Sequence, residues 1–175
     1  MMRGDKVELR ARHEADVPVL HALHDDVATR CREDSRPWQP IPADSPHSPF
    51  AVADPSDHVV RFSVVERDTQ ELAGAAQLGG IDLHNRSANL GISVLPAFRG
   101  RGLGSDVVRV LCEYGFAVRG LQRLHVDTLA DNAPMIAAAT KAGFTIEGTL
   151  RRAAWVYGGF RDVVVLGLLA DEWTA

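Results

Sequence analysis

Arg99, Gly100, Arg101, Gly102 and Gly104 fall within one eleven-residue run, Val94 to Gly104, whose residue types suit phosphate chemistry. A short apolar segment ends at Val94, turns at Pro96 and leaves through an Arg- and Gly-rich bend. An amphipathic pattern starts at Leu103. Strand, glycine turn and helix in that order aim several main-chain N–H groups at one point. The first amides of a helix lack internal acceptors, and the helix dipole favours negative charge there. Such a turn binds phosphate. Arg99 and Arg101 add charged donors, and Ser105 adds a hydroxyl. The same bend also serves as a plain turn before a helix. Two phosphate patterns are excluded: no G-x-x-x-x-G-K-[ST] occurs, and G-x-G-x-x-G fails because position 105 is Ser.

Candidates for proton transfer are sparser. Asp82 and His84 alternate at a strand end and share a face, where the imidazole can accept a proton near neutral pH. They also suit a solvated hairpin pair, since polar residues flanking a turn are usually exposed. Tyr157 precedes a Gly-Gly turn and can line an acceptor site, and Glu66 lies at another strand end. Trp38, inside a Pro-rich stretch, can close over an amine through a cation–π contact or anchor its loop to the core. His21 and His24 are one helical turn apart with Asp25 beside them. The expectation there is an exposed helix face rather than zinc. Cys31 and Cys112 have no metal or disulfide spacing.

The elements that position these groups follow from periodicity. Val7–Arg10 alternates as a strand. Asp16 and Pro18 open a helix predicted to run to about Arg32. Residues 35–55 hold six of nine prolines and suit no regular element. Segments 59–66, 71–81 and 88–94 read as an antiparallel meander. A helix follows from Leu103 to about Arg119, with Leu103, Val107, Val110, Leu111, Tyr114 and Val118 as its apolar stripe. Strand 123–129, a helix capped by Asn132 and closed at Gly143, and strands 144–150 and 162–169 complete the chain. Alternating strands and helices in 175 residues predict one mixed α/β domain, residues 1–175.

Composition excludes several classes. Net charge is −4 and pI about 5.9, which argues against nucleic acid as the main partner. No apolar run is long enough for a membrane helix, no signal peptide is visible, and two cysteines suit a reducing cytoplasm.

Arg99, Gly102 and Gly104 also match R-x-x-G-x-G, and here the chain resembles the GNAT acyltransferase superfamily. Asp131-Asn132, Lys141-Ala-Gly-Phe144, Glu147-Gly148, Arg151, Tyr157 to Asp162, Leu166 and Asp171-Glu-Trp173 are similar to the RimJ/RimL branch, most clearly from Ala88 to Trp173. The resemblance implies an acetyl-CoA-dependent N-acetyltransferase without a metal. Its mixed central sheet, flanked by helices, would splay at the coenzyme site. Ile92, Ser93 and Val94 would supply main-chain contacts to the pantetheine arm. The backbone from Arg99 through Gly100, Arg101, Gly102, Leu103 and Gly104 to Ser105 would hold the phosphates, and Asn132 would reach the arm. Lys141 would approach the phosphates or end its helix as a solvated charge. The branch implies a protein N-terminal amine as acceptor, with a small amine or a non-catalytic acyl-CoA-binding module as rivals, and a homodimer. Two positions depart from the pattern: Met135 stands where many members carry Ser, and Asn89 where many carry Glu.

Overall fold

The computed structural model describes residues 1–33 and 36–174; Asp34 and Ser35, where the Pro-rich stretch begins, and Ala175 lie outside the described residues. Eight strands form one mixed sheet: β1 (Met2–Arg3), β2 (Val7–Arg10), β3 (Val60–Glu66), β4 (Leu72–Asp82), β5 (Ser87–Val94), β6 (Arg123–Leu129), β7 (Thr145–Val156) and β8 (Gly159–Leu169). Their spatial order is β1-β2-β3-β4-β5-β6-β8-β7. Only the central β5–β6 pair is parallel. The crossover between them carries the glycine bend and the helix α3 (Leu103–Glu113). A parallel neighbour needs such a crossover.

The sheet buries a different layer on each face. One face holds α3 and α4 (Ala133–Lys141), with Leu103, Val107, Val110 and Leu111 buried against Leu78, Leu90, Leu124 and Leu166. The other holds α1 (Val17–Asp25) and part of the Pro-rich segment, where Leu20, Leu23 and Phe50 meet Ala75 and Leu95.

Three elements depart from the expected boundaries for local reasons. The helix predicted from Asp16 to Arg32 breaks at Asp26, whose ψ of 88° is not helical. The Asp26 carboxylate then accepts from the Thr29 N–H and hydroxyl and opens a second helix, α2 (Val27–Glu33). The helix expected to Arg119 changes at Tyr114 into a π turn, in which the Arg119 N–H bonds the Tyr114 carbonyl. The wider turn rotates Phe116 inward and leaves Val118 exposed, unlike the stripe expected from a 3.6 period. Strand β7 runs six residues past the expected Leu150, through an irregularity where Arg152 has φ 51°.

Candidate functional site

The central parallel pair opens. β5 and β6 pair at Ser87↔Arg123, Ala88↔Leu124 and Asn89↔His125 and no further, although both strands continue. Beyond Asn89, β5 stays paired with β4 as far as Gly74↔Val94, and β6 stays paired with β8 as far as Leu129↔Val163. The Leu95 N–H donates to the Ala73 carbonyl, and the Ser93 carbonyl faces Gly74, so Ser93 and Leu95 turn their main chains toward β4. By strand alternation, Leu90, Ile92 and Val94 turn theirs into the gap. Ile92 and Val94 are therefore placed to pair with an inserted extended chain. The expected main-chain role of Ser93 is corrected, because its peptide groups belong to the β4 ladder.

The glycine bend lies at the wide end of this gap. Gly100 and Gly102 have φ 76° and 79°, the left-handed region that a side chain resists. Gly102 is the N-cap of α3 and offers no capping side chain, so the first amides of the helix, from Leu103, Gly104 and Ser105, remain available to a ligand. Gly104 seats this turn on β5, for a Cβ there would stand 3.6 Å from Ile92 Cδ1. The arginines are already engaged. Arg99 Nε donates to the Val94 carbonyl at 3.0 Å, and Arg101 pairs with the buried Glu66 at 2.7 Å. Glu66 is thus a partner of the bend and not a free base. A cation that sequence reasoning missed stands closer to the bend: Lys6 Nζ donates to the Arg101 carbonyl at 3.0 Å and lies 3.1 Å from where a Gly102 Cβ would be. Nothing local in the sequence joins residue 6 to residue 102.

Asn132 follows β6 at the same open end. Its side chain accepts from the Met135 N–H and donates to the Thr128 hydroxyl at 2.9 Å, so it is a helix cap with both polar atoms in use. Met135 packs against the core. Lys141 is exposed at the far end of α4.

Asp82 and His84 are displaced from all of this. They belong to the β4–β5 hairpin, at the end where β5 and β6 are still paired, and the Asp82 carboxylate is taken by the Asn85 N–H and side chain. At about 3.3 Å per residue, the hairpin is roughly 20 Å from Val94. Tyr157 lies at the opposite end of the sheet, in the β7–β8 turn beyond the end of β6. Asp82, His84 and Tyr157 therefore do not form one catalytic group, and the proton-accepting role expected of the first two is corrected by that separation.

What faces the gap opposite α3 is the end of α2. Glu33 accepts from the Ser93 hydroxyl of β5 at 2.9 Å, and the adjacent Arg32 pairs with Asp131, just after β6, at 2.6 Å. The last turn of α2 thereby spans the two diverging strands. Burial raises the pKa of the Glu33 carboxyl, while the Ser93 hydroxyl, Arg30 and Arg99 act in the lowering direction. Beside this turn opens a cavity of about 540 Å3, lined by Cys31, Arg36, Pro37, Trp38, Trp155 and Tyr157. Sequence reasoning missed Glu33 and Trp155. At the vertex of the gap, Asn89 Nδ2 reaches Asp127 at 3.5 Å.

Trp38 both anchors and lines. Its indole N–H donates to the His24 carbonyl at 2.9 Å and its ring stacks on His24, with its edge at the cavity. The exposed face expected for His21 and His24 is corrected, because both are 4% exposed. His21 holds Ser48 and the Ile41 carbonyl, and His24 Nε2 holds the Gln39 carbonyl at 2.9 Å. A carbonyl only accepts, so Nε2 carries the His24 proton, and Nδ1 is buried without a partner. These rings tie the Pro-rich segment to α1. His24→Ala is expected to cost about 2 kcal/mol, lowering Tm by about 4–8 °C in a chain of this size. Limited proteolysis should then cut first within residues 36–55.

A sheet split at its central parallel pair, with a glycine-capped helix start at the mouth, defines an acyl-CoA-binding α/β domain. The acetyltransferase (GNAT) domain model matches residues 6–145, and the chain belongs to that family. It is an N-acetyltransferase of the GNAT type that uses acetyl-CoA. Spermidine N(1)-acetyltransferase of Escherichia coli K12 is 26% identical over 175 residues, covering all of this chain and 92% of that protein. An uncharacterized N-acetyltransferase, p20 of Bacillus licheniformis, is 31% identical over 113 residues, which span 65% of this chain and 64% of p20. Among solved structures, the ribosomal L7/L12 alpha-N-protein acetyltransferase RimL in complex with coenzyme A shares the fold, with TM-score 0.80 at 23% identity over 96% of each chain. Among the described residues no helix is long and apolar enough to cross a membrane, and no group of three His, Cys, Asp or Glu is arranged to hold a metal ion.

Proposed function

We propose that this acetyltransferase acts on the α-amine at the N-terminus of a protein, drawn into the cavity beside α2. Acetyl-CoA supplies the activated acyl group. The open edge at Ile92 and the Val94 N–H suits its pantetheine arm, which would pair there as an added strand. The amides of Leu103, Gly104 and Ser105, with Lys6, suit its pyrophosphate. An N–H of the same edge would polarise the thioester carbonyl.

One observation carries the choice of acceptor. Among the described residues the cavity is lined by two tryptophans and a tyrosine, and the one charged lining side chain is Arg36. A polyamine carries several positive charges and calls for carboxylates around each. A peptide end carries one amine, and its following residues suit an open aromatic trough. The full-length match to a spermidine acetyltransferase favours a polyamine as the second reading.

Thiol release from acetyl-CoA should be followed with seven-residue peptides beginning in Ser, Ala or Met, and with spermidine. At least one peptide is expected to exceed spermidine in kcat/KM by tenfold or more. Spermidine turning over faster than every peptide would overturn the assignment.

A further inference from the structure

We propose that Glu33, at the end of α2, is the catalytic base that takes the proton from the acceptor amine. The inference rests on the acetyltransferase reading and adds the proton acceptor to it. Neither family position supplies one, since Asn89 and Met135 carry no titratable group, and Asp82 and His84 stand at the closed end of the sheet.

Glu33 is held where the reaction requires it. Ser93, its hydrogen-bond donor, is flanked by Ile92 and Val94, whose main chains face the gap. Arg99 Nη2 lies 4.0 Å from its other oxygen. The side chain is only 22% exposed, and two residues before it on the same helix Cys31 lines the cavity. The carboxylate thus stands beside the strand along which the thioester would lie, and the cavity from which an amine would arrive opens beside the same turn of α2. Among the described residues, four groups face or influence it: Ser93 from β5, Arg99 from the bend, and Arg30 and Asp26 from its own helix and its cap. Desolvation raises its pKa, and the Ser93 hydroxyl and both arginines oppose that shift. A carboxylate made more basic accepts an ammonium proton more readily.

The step balances. The ammonium gives one proton to Glu33 Oε1, which releases it to solvent, and the freed nitrogen forms the C–N bond. The C–S bond breaks, and the second proton that the nitrogen loses ends on the departing thiolate. Two other carboxylates lie near the gap: Asp127, at its vertex and exposed, and Asp131, which is held by Arg32.

Two small amines separate a base from a structural role. Ethylamine is protonated at pH 7 and must lose a proton, whereas methoxyamine is already neutral and its adduct is acidic enough to lose its proton to water. Glu33→Gln keeps an acceptor for Ser93. We expect E33Q to reduce kcat with ethylamine by about 100-fold and with methoxyamine by less than threefold. The acidic limb of the pH profile should disappear for ethylamine, and coenzyme A binding should be unchanged. Equal loss with both amines would overturn the proposal in favour of a structural role. A 100-fold loss in Asp127→Asn with E33Q unimpaired would overturn it in favour of Asp127. Wild-type protein that binds coenzyme A but transfers to neither amine and to none of the peptides would overturn the α-amine acceptor reading and this proposal together.

Discussion

Gly102→Asp is expected to weaken acetyl-CoA binding by at least 100-fold, about 3 kcal/mol, with the fold retained. Two effects act on stability and nearly cancel. Gly102 has φ 79°, so a Cβ there strains the backbone by roughly 1–2 kcal/mol. Asp at an N-cap, however, accepts from the free amides of the first turn and adds favourable charge at the helix start, worth about 1 kcal/mol. It would also meet Lys6 Nζ, 3.1 Å from the new Cβ. For the ligand all three contributions are adverse. The carboxylate occupies the amides meant for phosphate, neutralises Lys6 and repels the pyrophosphate. Titration calorimetry with coenzyme A, together with a thermal melt, checks both halves. Binding within threefold of wild type would place the pyrophosphate elsewhere.

That bend was legible because its requirements are local. A left-handed residue before an amphipathic helix needs glycine, and Gly102 and Asn132 announce their helices within a few positions of chain. The opening between β5 and β6 left no such mark, because Ile92 is the same residue in a paired strand or a free one. It came from the family resemblance. Glu33 was hidden for a related reason. Its role depends on where α2 ends relative to Ser93, sixty positions later, and that depends on the break at Asp26. His21 and His24 looked solvent-facing because their partners are main-chain carbonyls of the Pro-rich segment, and a carbonyl carries no sequence signature. The far half of β7 was unreadable because Arg151, Arg152, Ala153 and Trp155 are exposed and only Val156 is buried, so no alternation marks the strand.

The same dependence on distant partners sets the largest expected loss of stability, at Asp106. Its carboxylate accepts from the main-chain N–H groups of Asp5, Lys6 and Val7 at 3.2, 2.7 and 3.0 Å, and from Arg109 at 3.0 Å. It thereby fastens the first hairpin, and with it Lys6, to the helix that begins at the glycine bend. The fit is tight, since a Cβ on Gly4 would come within 2.3 Å of Asp106 Oδ2. Burial opposes ionisation here, but the three amides and the arginine outweigh it and hold the pKa below its ordinary value. Asp16 is held low by Arg10, with further help from the His13 amide and Ser63. A depressed pKa in the folded state contributes stability above the unfolded value of about 3.9, and that contribution is lost as pH falls through the folded value. Asp106→Asn turns an NH2 group toward N–H donors and leaves buried amides unsatisfied. The expected cost at pH 7 is about 3–5 kcal/mol, a fall in Tm of about 10 °C. As pH falls below the unfolded value of about 3.9 and through the depressed folded value, the gap between variant and wild type should narrow and close, because protonation removes the same charge from wild type. A gap that persists undiminished into acid would show that shape, not charge, is what Asp106 supplies. A loss of coenzyme A binding at temperatures where the variant remains folded would show that the hairpin holds Lys6 at the phosphate site.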